Sequence, residues 1–319
     1  MEKMSREIVL RVTDLEKLYP VKKTSHGAQT FTALNKVNFA LHSGEILGVL
    51  GPNGAGKTTL IQILLSVLKP TSGKVEYFGK DFFTHRATIM ERISYASGYA
   101  KLPAQLTVRE NLDIYAQLYG ISKKERDDSI EKYLKFFGMW NLAEKESGVL
   151  SAGQTTRVML AKAFITRPRI ILLDEPTASL DPDIAHEIRI FILERQKQQD
   201  ISILVTSHNM DEVTQICNRV LVLKNGEIVA NDTPRNLALS VARSRIEIVP
   251  DDKDSLVGIL QRNRIKYSLD NGFVTIEVEE NEIAQFLMHL AEHTIRYSHI
   301  AIYKSTLEDY FLSVVRKKP

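Results

Sequence analysis

The sequence predicts an α/β fold: a core on a parallel sheet, N-terminal antiparallel strands, an inserted helical subdomain, and a small βαββαβ domain of the α+β type at the end. Three observations carry that expectation. A glycine-rich segment, Gly51 to Thr59, joins a short apolar run to a stretch of helical periodicity. A second apolar run, Ile170 to Leu173, ends in two carboxylates. After about residue 240, strand-like and helix-like stretches follow one another in the split βαβ order. The expected division is 1–240 and 241–319, with the helical subdomain at about 93–165.

Taken in order, residues 8–19 and 31–41 alternate apolar and polar positions, as half-buried strands do. The polar stretch Lys22 to Gln29 reads as a surface loop. Tyr19 closes the first run; by itself it reads as a core or edge aromatic rather than a ligand contact. Next comes Ile46 to Leu50, then Gly51-Pro52-Asn53-Gly54-Ala55-Gly56-Lys57-Thr58-Thr59, then the periodic run from Leu60. Gly51, Gly56, Lys57 and Thr58 fit G-x-x-x-x-G-K-[ST]. Glycines let consecutive amide N–H groups point into one concavity at a helix N-terminus, where phosphate oxygens sit well. Lys57 adds a point charge for the outer phosphates, and the Thr58 hydroxyl suits Mg²⁺. The segment therefore implies a nucleoside triphosphate ligand. The helix is expected to reach about Leu68 and stop at Lys69-Pro70-Thr71-Ser72-Gly73, before a strand at Lys74 to Phe78.

Thr107 to Glu110 and Ser122 to Glu125 both match a capping box, so each opens a helix. In the second helix Ile130, Tyr133, Leu134 and Phe137 form an apolar stripe that reads as packing against neighbouring helices. The run ending at Asp174-Glu175 fits a strand buried on both faces, which delivers the acids to its carboxyl end, where such sheets bind ligands. Beside a phosphate loop, Asp174 is placed to hold Mg²⁺ and Glu175 to orient or deprotonate water. A helix at Pro182 to Gln198 and a strand at Ile201 to Thr206 then bring His208 to the same edge. Asn225-Gly226 marks a hairpin. The last domain reads as strand 245–249, helix 255–262, strands 265–269 and 273–278 about a turn at 270–272, helix 282–293, strand 299–303 and a short helix 306–315.

Bulk composition narrows the class. Lys and Arg total 42 against 39 acids, too even to argue for nucleic acid as a partner. With Cys217 as the single cysteine, no internal disulfide forms. No stretch is long and apolar enough to span a bilayer, and the first residues lack the apolar core of a signal peptide. Work at a membrane would need another chain to do the spanning.

Leu150-Ser151-Ala152-Gly153-Gln154 stands upstream of Asp174-Glu175, Ser179-Leu180-Asp181 follows those acids, and His208 comes after the next strand. With the phosphate loop, this ordered set, from about 8 to 240, resembles the ATP-binding subunit of ABC transporters, and the C-terminal part resembles the extra domain of exporter-type subunits. The resemblance implies a P-loop ATPase core with ATP and Mg²⁺ as cofactors. It implies adenine stacking on Tyr19, Mg²⁺ at Thr58 and Asp174, Glu175 as the catalytic base, and His208 as the switch contacting the γ-phosphate. It further implies that Ser151, Gly153, Gln154 and Asp181 reach nucleotide on a second subunit, homo- or heterodimeric. A separate transmembrane permease, a cytoplasmic position on the inner face of the cell membrane, and export follow from the same likeness. Two other readings are a soluble ATPase of this class serving a ribosome or DNA-repair machine, and a weakly hydrolysing nucleotide-gated module. Two positions depart from the family pattern. Ala152 stands where glycine is usual, at a cost of about 1–2 kcal/mol if that position is left-handed. Gly98 stands where a glutamine is usual.

Overall fold

A computed structural model describes residues 7–20, 30–98, 101–199, 201–241, 244–270 and 272–316; the Lys22 to Gln29 stretch and Asn271 of the turn lie outside them. The chain separates into two compact units, 1–233 and 234–319. The first opens with β1 (Ile8–Pro20) and β2 (Thr30–His42), paired antiparallel with the alternating burial their pattern implies. After β3 (Ile46–Leu50) and α1 (Lys57–Leu64), β4 (Ser72–Tyr77) pairs with β1, and β5 (Lys80–Asp81) completes a sheet of order β2-β1-β4-β5.

Helix α1 ends about one turn earlier than its periodicity suggests. Ser66 takes a left-handed φ of 55°, and the amides of Val67 and Leu68 both return to the Gln62 carbonyl. Leu65 and Leu68 still pack on the core, so the apolar spacing survives the break.

The helix α2 (Arg86–Met90) leads to β6 (Ile93–Ser97), which pairs with the later strand holding Asp174. Residues 93–97 therefore belong to the central sheet, and the helical block begins after them. That block holds α3 (Val108–Leu118), α4 (Lys123–Phe136) and α5 (Ala152–Ile165). Thr107 and Glu110 make both bonds of their capping box. At α4 the second box is not formed: Ser122 Oγ bonds the Glu125 carboxylate at 2.7 Å instead of a backbone amide. The remaining elements are β7 (Ile170–Asp174), α6 (Pro182–Gln199), β8 (Ser202–Ser207), α7 (Met210–Ile216), β9 (Arg219–Lys224) and β10 (Glu227–Asp232).

The central sheet runs β10-β9-β3-β8-β7-β6, parallel except for β10. Every residue of β3 and β8 is buried, as is expected of parallel strands covered on both faces. One core cluster joins β1, β2, β4 and α1 to Leu47, Val49, Ile170, Leu172, Leu204 and Leu221 of this sheet. The α4 stripe packs as expected: Ile130, Tyr133, Leu134 and Phe137 are buried, and Phe191 of α6 lies 5.0 Å from the Phe137 ring and 4.7 Å from Phe164 of α5.

The second unit contains α8 (Pro234–Leu239), β11 (Ser244–Pro250), α9 (Lys253–Arg262), β12 (Tyr267–Asp270), β13 (Phe273–Val278), α10 (Ile283–Glu292), β14 (Tyr297–Tyr303) and α11 (Leu307–Arg316). From β11 to β14 the order is βαββαβ in a β12-β13-β11-β14 sheet, with its own core around Ile246, Ile248, Ile276 and Leu260.

Phe191 joins α4, α5 and α6 through its ring contacts. Replacing it with alanine is expected to lower the unfolding free energy by about 3–5 kcal/mol in urea titrations. An unchanged midpoint would show that the three helices are held by other contacts.

Candidate nucleotide site

Strand register builds the site. Leu50 of β3 stands opposite Ser207 of β8, Thr206 opposite Asp174 of β7, and Asp174 opposite Ser97 of β6. Four strands thus end within one residue of a common level, and the residues that follow them, Gly51, His208, Glu175 and Gly98, share the carboxyl edge of the sheet.

The loop after β3 is braced from outside. Gly226, in the tight turn between β9 and β10, donates its N–H to the Ala55 carbonyl at 3.1 Å, and Asn35 of β2 donates to the Gly226 carbonyl at 2.9 Å. Gly56 caps α1 with φ 109°, and a Cβ there would lie 2.5 Å from the Ala33 carbonyl oxygen. A Cβ on Gly51 would lie 2.5 Å from the Leu223 carbonyl oxygen. Side chains at these two places would push the loop off its support. Lys57 Nζ donates to the carbonyls of Gly51 (2.5 Å) and Pro52 (3.2 Å), so its charge is held over the loop. Burial lowers its pKa, and the carboxylates of Glu175 and Asp174 act in the opposite direction. Pro52, Asn53, Gly54, Thr58 and Thr59 are half-buried or exposed, and Ala55 is buried.

Asp174 accepts the Thr206 hydroxyl at 2.5 Å. Its carboxylate and the Thr58 hydroxyl are hard oxygen donors of the kind Mg²⁺ takes, so the residues present fit that ion. Glu175 has φ 52°, a left-handed conformation that costs a non-glycine residue about 1–2 kcal/mol. Its N–H donates to the Thr206 carbonyl at 3.0 Å, and its Oε2 lies 2.7 Å from His208 Nδ1. The Glu175 side chain is 12% exposed and that of His208 is 62% exposed, so the acid is sheltered and the imidazole is open to solvent.

Ser151, Ala152, Gly153 and Gln154 open α5, and Asp181 precedes α6. Ser151 and Asp181 are exposed, Gly153 and Gln154 half-buried. Ser151 and Gln154 also cap their own helix: Ser151 Oγ accepts the Gln154 amide at 3.2 Å, and Gln154 Oε1 accepts the Ser151 amide at 2.9 Å. The S-x-x-Q spacing carried that signal, which went unread. Ala152 is the first helical residue and its φ is not left-handed, so the conformational cost considered for it does not arise. A Cβ on Gly153 would sit 3.1 Å from the Ser179 carbonyl oxygen. A Cβ on Gly98 would make ordinary contacts, 3.4 Å from the Glu175 carbonyl oxygen and 3.4 Å from Thr156 Oγ1. Gly98 therefore lies where Glu175, α5 and the Ser179 loop meet. Tyr19 lies on the other sheet, half-buried at the end of β1, with Lys17 Nζ 5.2 Å from its ring centre.

One residue at this edge escaped the motif reading. Glu212 of α7 is buried and accepts Thr177 Oγ1 at 2.8 Å and Ser207 Oγ at 2.6 Å. It ties the segment after Glu175 to the residue before His208. Its pattern in sequence is that of any helical acid.

A glycine loop at a helix N-terminus, beside strand ends carrying paired acids, defines a phosphate-loop nucleotide-binding protein of the α/β class. Comparison with known proteins is sharper. The family described as ABC transporter matches residues 34–178. The bacitracin transport ATP-binding protein BcrA of Bacillus licheniformis is 30% identical over 310 residues, covering 96% of this chain and 97% of that one. The Nod factor export ATP-binding protein I of Rhizobium sp. (strain N33) is 33% identical over 232 residues, 72% of this chain and 75% of that one. Among solved structures, a dimeric ATP-binding cassette in a post-hydrolysis state with ADP and Pi is 25% identical with a TM-score of 0.63, covering 70% of this chain and 98% of that chain. The chain belongs to the ATP-binding proteins of ABC transporters, ATPases coupled to transport.

Burial raises the Glu212 pKa, Thr177 and Ser207 notwithstanding, and Glu175 adds to the rise. The native state then binds this proton more tightly than the unfolded chain does. Stability from this group is full below the unfolded carboxylate pKa and is lost as pH climbs through the native value. Glu212→Gln removes that loss. The stability of the variant relative to wild type is expected to rise with pH from 4 to 8, read by denaturation at each pH; a flat difference would contradict it.

Proposed function

We propose that this chain is the motor subunit of a membrane transporter, in which two ATPase units clamp ATP between them. The observation that carries this reading is that Gly51, Glu175, His208 and Gly98 follow adjacent parallel strands that end within one residue of one another. In this reading the loop amides and Lys57 hold the β- and γ-phosphates, and Tyr19 stacks on the base. Mg²⁺, held by Thr58 and Asp174, supplies charge to neutralise the phosphate oxygens. Glu175 orients and deprotonates the attacking water from its sheltered position. His208 turns from Glu175 towards the γ-phosphate, so one imidazole registers whether that phosphate is present.

Ser151, Gly153, Gln154 and Asp181 engage the nucleotide of a second subunit, a role supported by the exposure of Ser151 and Asp181 and by the approach of both Gly153 and Gly98 to Ser179. The dimeric relative supports the same arrangement. A separate permease subunit carries the cargo path, a reading supported by the transport ATP-binding proteins that the chain resembles; among the described residues no helix is long and apolar enough to cross a membrane. We assign ATP binding to the first unit and a dimerising or regulatory role to the second, with the protein peripheral on the inner membrane face. Export is favoured by the likeness to the Nod factor exporter subunit.

The test is turnover with purified protein and its membrane partner. Glu175→Gln is expected to bind ATP while hydrolysis falls at least about tenfold, and Lys57→Ala to remove turnover. Wild-type turnover in Glu175→Gln would remove Glu175 as the base. A wild-type assembly that binds ATP without turning over would favour a nucleotide-gated module, the outcome that Gly98 would then explain.

A further inference from the structure

We propose that the second unit carries a binding site for a divalent transition-metal ion, Zn²⁺ by its donors, formed by His289, Glu292 and His293. These residues occupy positions i, i+3 and i+4 at the end of α10 and share one face. Among the described residues they are the only group of three possible metal ligands, with one donor atom from each within 4.8 Å of the others. Donors around tetrahedral zinc stand about 3.4 Å apart, given bonds near 2.1 Å. His289 Nδ1 and Glu292 Oε2 are already 3.7 Å apart, and the exposed side chains of Glu292 and His293 have room to close the rest.

Neighbouring bonds set up the donors. His293 Nδ1 lies 2.9 Å from the His289 carbonyl oxygen; donating to it leaves Nε2 with a free lone pair for a metal. His289 presents Nδ1 to Glu292, while its Nε2 faces the Asn263 side-chain amide at 3.3 Å. For a metal to take Nδ1, the ring proton moves to Nε2, and the imidazole gives up the Asn263 amide, which keeps its bond to the Ile259 carbonyl at 3.0 Å. A helix C-terminus also favours positive charge. Two imidazoles and a carboxylate form an N/O set suited to zinc, with a fourth position open. His289 and Glu292 line a groove of about 710 Å³ whose walls carry Glu277, Glu279 and Glu282 together with Arg264 and Lys266, so the two ligands border a concave surface of mixed charge.

The test uses the full chain, stripped with chelator and titrated with Zn²⁺ against a chromophoric competitor. Wild-type protein is expected to bind one equivalent that His289→Ala and His293→Ala each weaken about tenfold or more, with a smaller loss in Glu292→Gln. Co²⁺ in place of zinc is expected to give absorption bands that the two alanine variants lose. Lys57→Ala is expected to keep the site, which separates this proposal from the nucleotide reading. Zinc affinity unchanged in both alanine variants, or no zinc bound by wild-type protein in excess metal, would overturn it.

Discussion

The shared level of the parallel strand ends is the constraint on which the nucleotide site depends. Parallel pairing holds β3, β8, β7 and β6 in a register that places Leu50, Ser207, Thr206, Asp174 and Ser97 side by side. A slip of one residue in β7 would turn Asp174 to the opposite face and carry Glu175 out of line with His208. The burial of both faces makes such a slip costly, because it would also expose or misplace Ile170 to Leu173. Packing of ordinary aliphatic side chains thus sets the geometry of the polar edge.

Strain and support are distributed around that edge. Glu175 keeps an unfavourable backbone conformation because its amide is held by Thr206 and its carboxylate meets His208. Glu212 holds the two flanking segments from below. The glycine loop leans on the Gly226 turn, and the backbones of β9 at Leu223 and β2 at Ala33, distant in sequence, leave no space for a side chain at Gly51 and Gly56 respectively. The N-terminus of α5 combines two demands: Ser151 and Gln154 satisfy their own helix amides while facing outward. The capping geometry fixes Ser151 Oγ in place, which would lower the ordering cost of the proposed intersubunit contact.

Much of this was legible in the residues. The loop from Gly51 to Thr59 announces itself because few chemistries need that glycine spacing, and the acids after Leu173 stand out against an unbroken apolar run. The Asn225-Gly226 turn and the βαββαβ order were readable from local turn chemistry and period. Other features depend on non-local pairing. Ile93 to Ser97 reads as the start of a helical block until its pairing with β7 is seen. The end of α1 was hidden because Leu68 returns to the core through a left-handed turn at Ser66, keeping the helical spacing that the pattern reports. Glu212 gave no signal because a carboxylate's value here comes from two hydroxyls on other elements.

The chain forms two compact units, the first carrying the strand ends of the candidate site and the second a separate sheet with its own core. The central claim concerns the first: phosphate loop, acids and histidine act on one nucleotide. A crystal structure of Glu175→Gln with Mg²⁺ and ATP tests it most directly. The account predicts the β- and γ-phosphates in the Gly51 to Thr59 loop, the ion between Thr58 and Asp174, and the His208 ring turned to the γ-phosphate. Phosphates bound elsewhere, or His208 out of reach of a fully ordered γ-phosphate, would contradict it.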